Sequence, residues 1–159
     1  MKRTLEYLIS ILLLLMFLIT FYQVVARVVL EVPSVWTEEL ARFTYVWMVF
    51  LGAALLVRDD GLIRVTVLTD RMAKRPAAIL KLATDLAALP FIAIMTWGAW
   101  TNTRQNWNTY APTIDWLSIG YVYLVIWISG VLMLGYLAIN LYRTTRNVLS
   151  PDTGNPRSG

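Results

Sequence analysis

Four stretches of this chain are each long and apolar enough to cross a lipid bilayer as a helix, and nothing else in it constrains the fold as strongly. A helical crossing takes roughly 20 residues. The first stretch runs from about 5 to 30 around "LISILLLLMFLITFY", and the second from about 38 to 57. The third covers about 77 to 103 with "LAALPFIAIMTWGAW"; the fourth covers about 116 to 142 with "LSIGYVYLVIWISGVLMLGYLAI". The expected fold is an all-α integral membrane protein: a single domain over 1–146 with four transmembrane helices. The first stretch is too long for a signal-peptide core and no small-residue cleavage site follows it, so it reads as a retained anchor.

Composition removes many alternatives. Charged residues make up 15% of the 159 residues, against about 25% in a typical soluble domain. Cysteine and histidine are absent, which excludes disulfides, thiol chemistry, Cys/His metal sites and histidine-ligated haem within this chain. Acid–base chemistry would have to use carboxylates, lysine or tyrosine. No phosphate loop, catalytic carboxylate pair or nucleophile–base arrangement is present, so no enzyme and no cofactor is expected. The net charge of +4 does not indicate nucleic acid, because the basic residues lie between apolar runs and report membrane topology instead.

Their placement is lopsided. Lys2 and Arg3 precede the first run. Arg58, Arg64, Arg71, Lys74, Arg75 and Lys81 occupy or flank the connection between the second and third; Arg143, Arg146 and Arg157 follow the fourth. Only Arg27, Arg42 and Arg104 flank the opposite side. The positive-inside rule therefore places both termini in the cytoplasm. Between the first two runs "EVPSVW" reads as a short turn, with Pro33 halting the first helix. In the segment 58–76, Leu62, Val65, Leu68 and Met72 recur every three or four residues while most basic residues fall elsewhere. That pattern predicts a short amphipathic helix lying on the inner membrane surface, facing anionic headgroups of the bilayer. Residues 147–159 have the composition of a disordered tail.

The most unusual local feature is "WTEELAR" at 36–42, three charges at the mouth of the apolar second helix. Thr37 reads as an N-cap, with Glu38 and Glu39 in the first turn where the helix dipole favours negative charge. Arg42 is three or four residues beyond either carboxylate, within reach of both. Trp36 fits the headgroup level. A second reading adds the end of helix one, where Gln23, Arg27 and Glu31 share a face. Folding back at the turn would set Arg27 opposite Glu38 and Glu39, so that the charges satisfy one another near lipid and form a polar edge. Further along, Lys81 and Asp85 are spaced as an intrahelical ion pair, a structural reading preferred over a proton relay. Pro90 is expected to bend helix three and Gly98 to admit a neighbour, while Gly120, Ser129, Gly130 and Gly135 offer small contact surfaces on helix four.

Taken in order, the arginine ending helix one, the W-T-E-E-L-x-R mouth, the run to "LGAALLVR" (which includes Gly52) and the following I-x-V segment resemble a known family. It is the small, DctQ-like membrane subunit of tripartite ATP-independent periplasmic (TRAP) transporters. The family often has histidine and aspartate after helix two, where this chain has Leu62 and Thr66. The resemblance implies a non-enzymatic subunit of a bacterial or archaeal cytoplasmic membrane. Its implied partners are a large multi-helix transport subunit, which would hold the sodium ions, and a periplasmic solute-binding protein that commonly captures organic acids. On the reading of the residues themselves, the candidate interface or structural cluster is Gln23, Arg27, Trp36, Glu38, Glu39, Arg42 and Gly52. Two other functions compete: a self-sufficient four-helix exporter, which would need a membrane-embedded carboxylate such as Glu6 or Asp85, and a membrane anchor for another complex.

Overall fold

Leu5, Ile9, Leu12, Met16, Ile19, Gln23 and Ala26 recur at alternating steps of four and three residues, the spacing by which two helices lie along each other with a slight left-handed twist. In the computed structural model, which describes residues 2–29, 31, 35–59 and 74–149, these residues form the covered stripe of α1 (Lys2–Val28). From Tyr7 to Val24 every other residue of the helix is exposed. The stripe packs on α2 (Val35–Arg58), whose matching stripe is Thr37, Ala41, Thr44, Met48, Leu51 and Leu55. Thr37 and Thr44 are fully buried, and short side chains here let the two backbones approach. Leu5, Leu12 and Leu51 form one apolar cluster, with Met48 and Leu55 beside it.

The chain continues through α3 (Lys74–Gln105), a short antiparallel hairpin of β1 (Tyr110–Ala111) and β2 (Ile114–Ser118), and α4 (Ile119–Leu149). The principal contacts run α1 to α2, α2 to α4 and α4 to α3, so α4 sits between α2 and α3 while α1 hangs on the outer side of α2. Where three helices meet, Ala54 and Val57 of α2, Ile92 of α3 and Met133 and Leu137 of α4 form the main core. Gly130 sets the α3–α4 distance: a Cβ built on it would fall 3.1 Å from Thr96 Cβ and closer still to the Thr96 hydroxyl. Thr96 returns that hydroxyl to the Ile92 carbonyl of its own helix at 2.7 Å, which keeps it satisfied without water.

The four membrane-crossing helices are as expected, and several boundaries move. Helix one ends at Val28 and Glu31 turns out of it with a φ of 52°, so Glu31 does not continue the face of Gln23 and Arg27. Helix two begins at Val35, two residues before Thr37. Thr37 is therefore not its N-cap but a buried first-turn residue in the seam with α1, because Trp36 docks on Tyr22 (ring centroids 6.1 Å apart) instead of standing in a loop. Residues 116–118 are strand and not helix: the segment pairs antiparallel with Tyr110–Ala111, and Ala111, Ile114 and Leu117 pack onto Leu40 and Phe43 of α2. Residues 147–149 belong to α4 and not to a tail. Helix three runs through Pro90 as one element. The expected surface helix lies for the most part outside the described residues, as do Pro33, Leu62, Thr66 and everything from 150 onward.

Candidate functional site

The best-defined polar arrangement is at the end of the molecule carrying the α1–α2 turn and the β-hairpin. Both carboxylates of the first α2 turns are engaged, with different partners. Glu38 Oε1 lies 3.3 Å from Arg42 Nη2, an i,i+4 pair in which both side chains are largely exposed. Glu39 stands on another side of the helix and accepts two hydrogen bonds from Thr113 in the turn of the β-hairpin. One comes from the Thr113 backbone N–H at 3.1 Å, the other from its hydroxyl. A carboxylate receiving two donors is a charge-assisted clasp, and here it fastens the hairpin onto α2. Beneath the clasp, Val35, Glu38, Glu39, Arg42 and Thr113 line a cleft of about 160 Å³.

The hairpin is tied down at its other side as well. The Ser118 hydroxyl donates to the Trp107 carbonyl at 2.6 Å and accepts the Gly120 N–H at 3.0 Å, making Ser118 the N-cap of α4. A Cβ at Gly120 would meet the Trp107 backbone at 3.0 Å, which is why the chain can turn back so tightly from α3 into α4. Trp36, Trp107 and Trp116 are all exposed at this end, a residue type enriched where a membrane meets water.

The sequence-expected cluster is thus gathered in part. Glu38, Glu39 and Arg42 share one cleft, and Trp36 precedes them on the same helix. Among the described residues Arg42 pairs with Glu38 and not with Glu39, because Thr113 occupies the second carboxylate. Gln23 is half-buried in the α1 stripe and Arg27 is exposed beside it; neither hydrogen-bonds to nor ion-pairs with the α2 charges. The expected pairing of Arg27 with Glu38 or Glu39 is therefore not made, since each carboxylate already has a nearer donor. Gly52 lies ten positions beyond Arg42, about 15 Å along the helix, with nothing within 4 Å of the position a Cβ would take. Asp85 is buried near the start of α3, while the Lys81 side chain is outside the described residues, so their expected pair is too. Gly98 and Gly135 have no close neighbour, unlike Gly120 and Gly130.

Two site residues have no local signal in the sequence. Thr113 meets Glu39 across 74 positions of chain. At the opposite end of the helices Asn140 of α4 donates to the Val57 carbonyl of α2 at 2.9 Å, a buried bond across 83 positions. Next to it the Arg58 guanidinium lies 5.8 Å from the centre of the Tyr136 ring, a cation–π distance.

Four membrane-crossing helices, crossed at one end by a clasped β-hairpin with an exposed polar edge, define a small multi-pass membrane protein. The chain belongs to the DctQ component family of tripartite ATP-independent periplasmic transporters, whose match covers residues 16–147. It is 33% identical over 143 residues to a putative TRAP transporter small permease protein of Haemophilus influenzae, covering 90% of this chain and 88% of that one. It is 29% identical over 154 residues to the isethionate TRAP transporter permease protein DctMQ of Oleidesulfovibrio alaskensis, covering 92% of this chain but 24% of that longer one. The sialic acid TRAP transporter small permease protein SiaQ of Vibrio cholerae is 26% identical over 85 residues, 54% of this chain and 49% of the other. The protein is accordingly an inner-membrane component of a transporter.

Proposed function

We propose that this chain is the small permease subunit of a sodium-coupled TRAP transporter, a non-catalytic brace that holds the large transport subunit in the membrane and helps present its outer face to a solute-binding protein. The observation that carries the reading is the placement of charge. Between Glu6 and Arg27, Arg42 and Arg58, Asp85 and Arg104, and Ile119 and Arg143 the four helices contain no ionisable side chain of the Asp, Glu, Lys or Arg type. A path for a charged solute through a bilayer needs such groups at depth; a brace does not. The longer DctMQ relative, of which this chain's match spans about a quarter, supports a partner within the same assembly that is several times larger. Sodium ions and the solute, an organic acid, would then be bound by that partner.

Topology follows from the same reading. With the basic connection 58–81 and both termini in the cytoplasm, the clasped β-hairpin and the Glu38–Arg42 edge face the periplasm, where a binding protein docks.

Reconstitution tests the proposal directly. Proteoliposomes holding this chain, its large partner and the binding protein are expected to accumulate the solute when an inward sodium gradient is imposed. Proteoliposomes holding this chain alone are expected to show no uptake above empty vesicles. Solute flux through this chain alone would overturn the assignment; uptake by the complete system that ignores sodium would overturn the coupling.

A further inference from the structure

Among the arginines whose side chains are described, Arg58 alone is half-buried; the others are exposed. It is the last residue of α2, at the end of the helices opposite the β-hairpin. A guanidinium partly enclosed beside lipid normally has a carboxylate partner. This one makes no ion pair among the described residues: the Glu38–Arg42 pair is at the other end, and Glu6, Asp59 and Asp85 each have an interaction of their own. Arg58 leans instead on the Tyr136 ring of α4, 5.8 Å from its centre. Its Nη1 and the Tyr136 hydroxyl are both closed off from solvent, and neither has a hydrogen-bond partner. They do not bond each other, and the neighbouring Val57 carbonyl is taken by Asn140. Buried polar groups in folded proteins are almost always paired. Two adjacent donors with no acceptor are therefore the mark of a site without its ligand.

We propose that Arg58 and Tyr136 together hold the phosphate of one membrane phospholipid, both donating to its oxygens while the guanidinium neutralises its charge. Depth argues for that occupant. Helix α2 has 24 residues, which makes it about 36 Å long. The apolar core of a bilayer is about 30 Å thick, so the last residue of α2 stands at the level of the headgroup phosphates. Chemistry argues the same way, because the planar fork of a guanidinium matches the oxygens of a phosphate. Charge adds to it: Arg143 and Arg146 are exposed on α4 beyond Tyr136, and basic groups at the membrane surface attract anionic headgroups. Both donor atoms are sealed in the chain without lipid. Binding therefore includes an outward turn of the Arg58 side chain, the half-exposed wall of the site, which opens the Tyr136 hydroxyl. The site stands apart from the transport role proposed above; with the topology given there it faces the cytoplasmic leaflet.

The test uses the full chain in detergent micelles stripped of lipid. Phosphatidylglycerol is added back and counted by native mass spectrometry, with diacylglycerol as the phosphate-free match and inorganic phosphate as the tail-free one. One phosphatidylglycerol per chain is expected to stay bound and to raise the unfolding temperature, and neither control should do so. Arg58→Gln is expected to lower retention about tenfold and Tyr136→Phe about threefold. Arg104→Gln, at the hairpin end, should leave it unchanged. The sign of the Tyr136→Phe effect separates a ligand site from a structural contact. Without lipid the lost hydroxyl has no partner, so the unfolding temperature should hold or rise. With phosphatidylglycerol it should fall below that of the unaltered chain. Equal retention of diacylglycerol, equal protection by inorganic phosphate, or a Tyr136→Phe loss of the same size with and without lipid would each overturn the lipid site. Displacement of the bound lipid when the large subunit joins would overturn it too, and would assign the acceptor to a protein carboxylate.

Discussion

Helix α1 is the most apolar of the four and the least covered: 6% of its most apolar stretch is buried within the chain, against 28% for that of α4. In a water-soluble protein that ranking would be reversed, since apolar area seeks the core. In a bilayer the side chains of α1 gain nothing by leaving lipid, so hydrophobicity drives insertion while fine packing decides association. Helix α4 has what packing needs, with Gly130 against Thr96, buried Ser129 and Asn140, and neighbours on two sides. Helix α1 has one stripe. The contrast separates a core that holds itself together from a surface that is finished only by lipid or by another protein.

The harshest way to break this contrast is Gly130→Leu. The new side chain has no room against Thr96, and overpacking of this kind costs about 3 kcal/mol. Reversible unfolding in bicelles is expected to show that loss and to recover part of it in the double variant with Thr96→Ala. An unchanged unfolding free energy would mean α3 and α4 are not held at that contact. Next in size is a paired test on α1. Leu12→Ala removes a stripe residue and should cost about 1–2 kcal/mol, less than in a soluble core because lipid replaces water as the reference. Leu14→Ala, two positions on and exposed, should cost close to nothing in this chain by itself. Equal costs would erase the one-stripe description.

Asn140→Leu sharpens the α4 side of the comparison. It strips the bond to the Val57 carbonyl, and interhelical hydrogen bonds in membranes average about 0.6 kcal/mol with an upper range near 1.7; the unfolding free energy should fall within that span. The smallest effects belong to the polar edge. Arg42→Ala breaks an exposed pair and should change stability by about 0.3–0.5 kcal/mol. Glu39→Gln should leave global stability nearly as intact, yet speed amide exchange at Thr113 severalfold, because the clasp on the hairpin loses its charge assistance. A larger global loss from Arg42→Ala than from Asn140→Leu would invert the order of the two ends.

Much of this was legible from residue order alone. The four crossings followed from run length, and helical spacing put Arg42 within reach of Glu38 and Glu39 alike, leaving the choice of Glu38 to the structure. The stripe of α1 is written in its sequence as well, in the alternating steps from Leu5 to Ala26. What went astray did so where a local rule met a distant partner. Thr37 has the chemistry of a cap and is instead a seam residue, since α1 covers it. Trp116 to Ser118 look like the start of an apolar helix, but they pair with Tyr110–Ala111 in a strand whose Ile114 and Leu117 pack on Leu40 and Phe43 of α2. Ser118 carried a usable signal, a serine immediately before the aromatic run of α4, which marks a helix start. Thr113 carried none.

By itself the sequence determined that this chain lives in a bilayer, how many times it crosses, and which family it joins, because insertion depends on runs of apolar residues that are local in the chain. Only the tertiary structure decided which glycines are filled and which stand open, which carboxylate holds the hairpin, and which side of α2 remains uncovered. Those outcomes depend on distances between residues dozens of positions apart, and in an apolar solvent such distances are settled by shape and a few hydrogen bonds, which no hydrophobic pattern encodes.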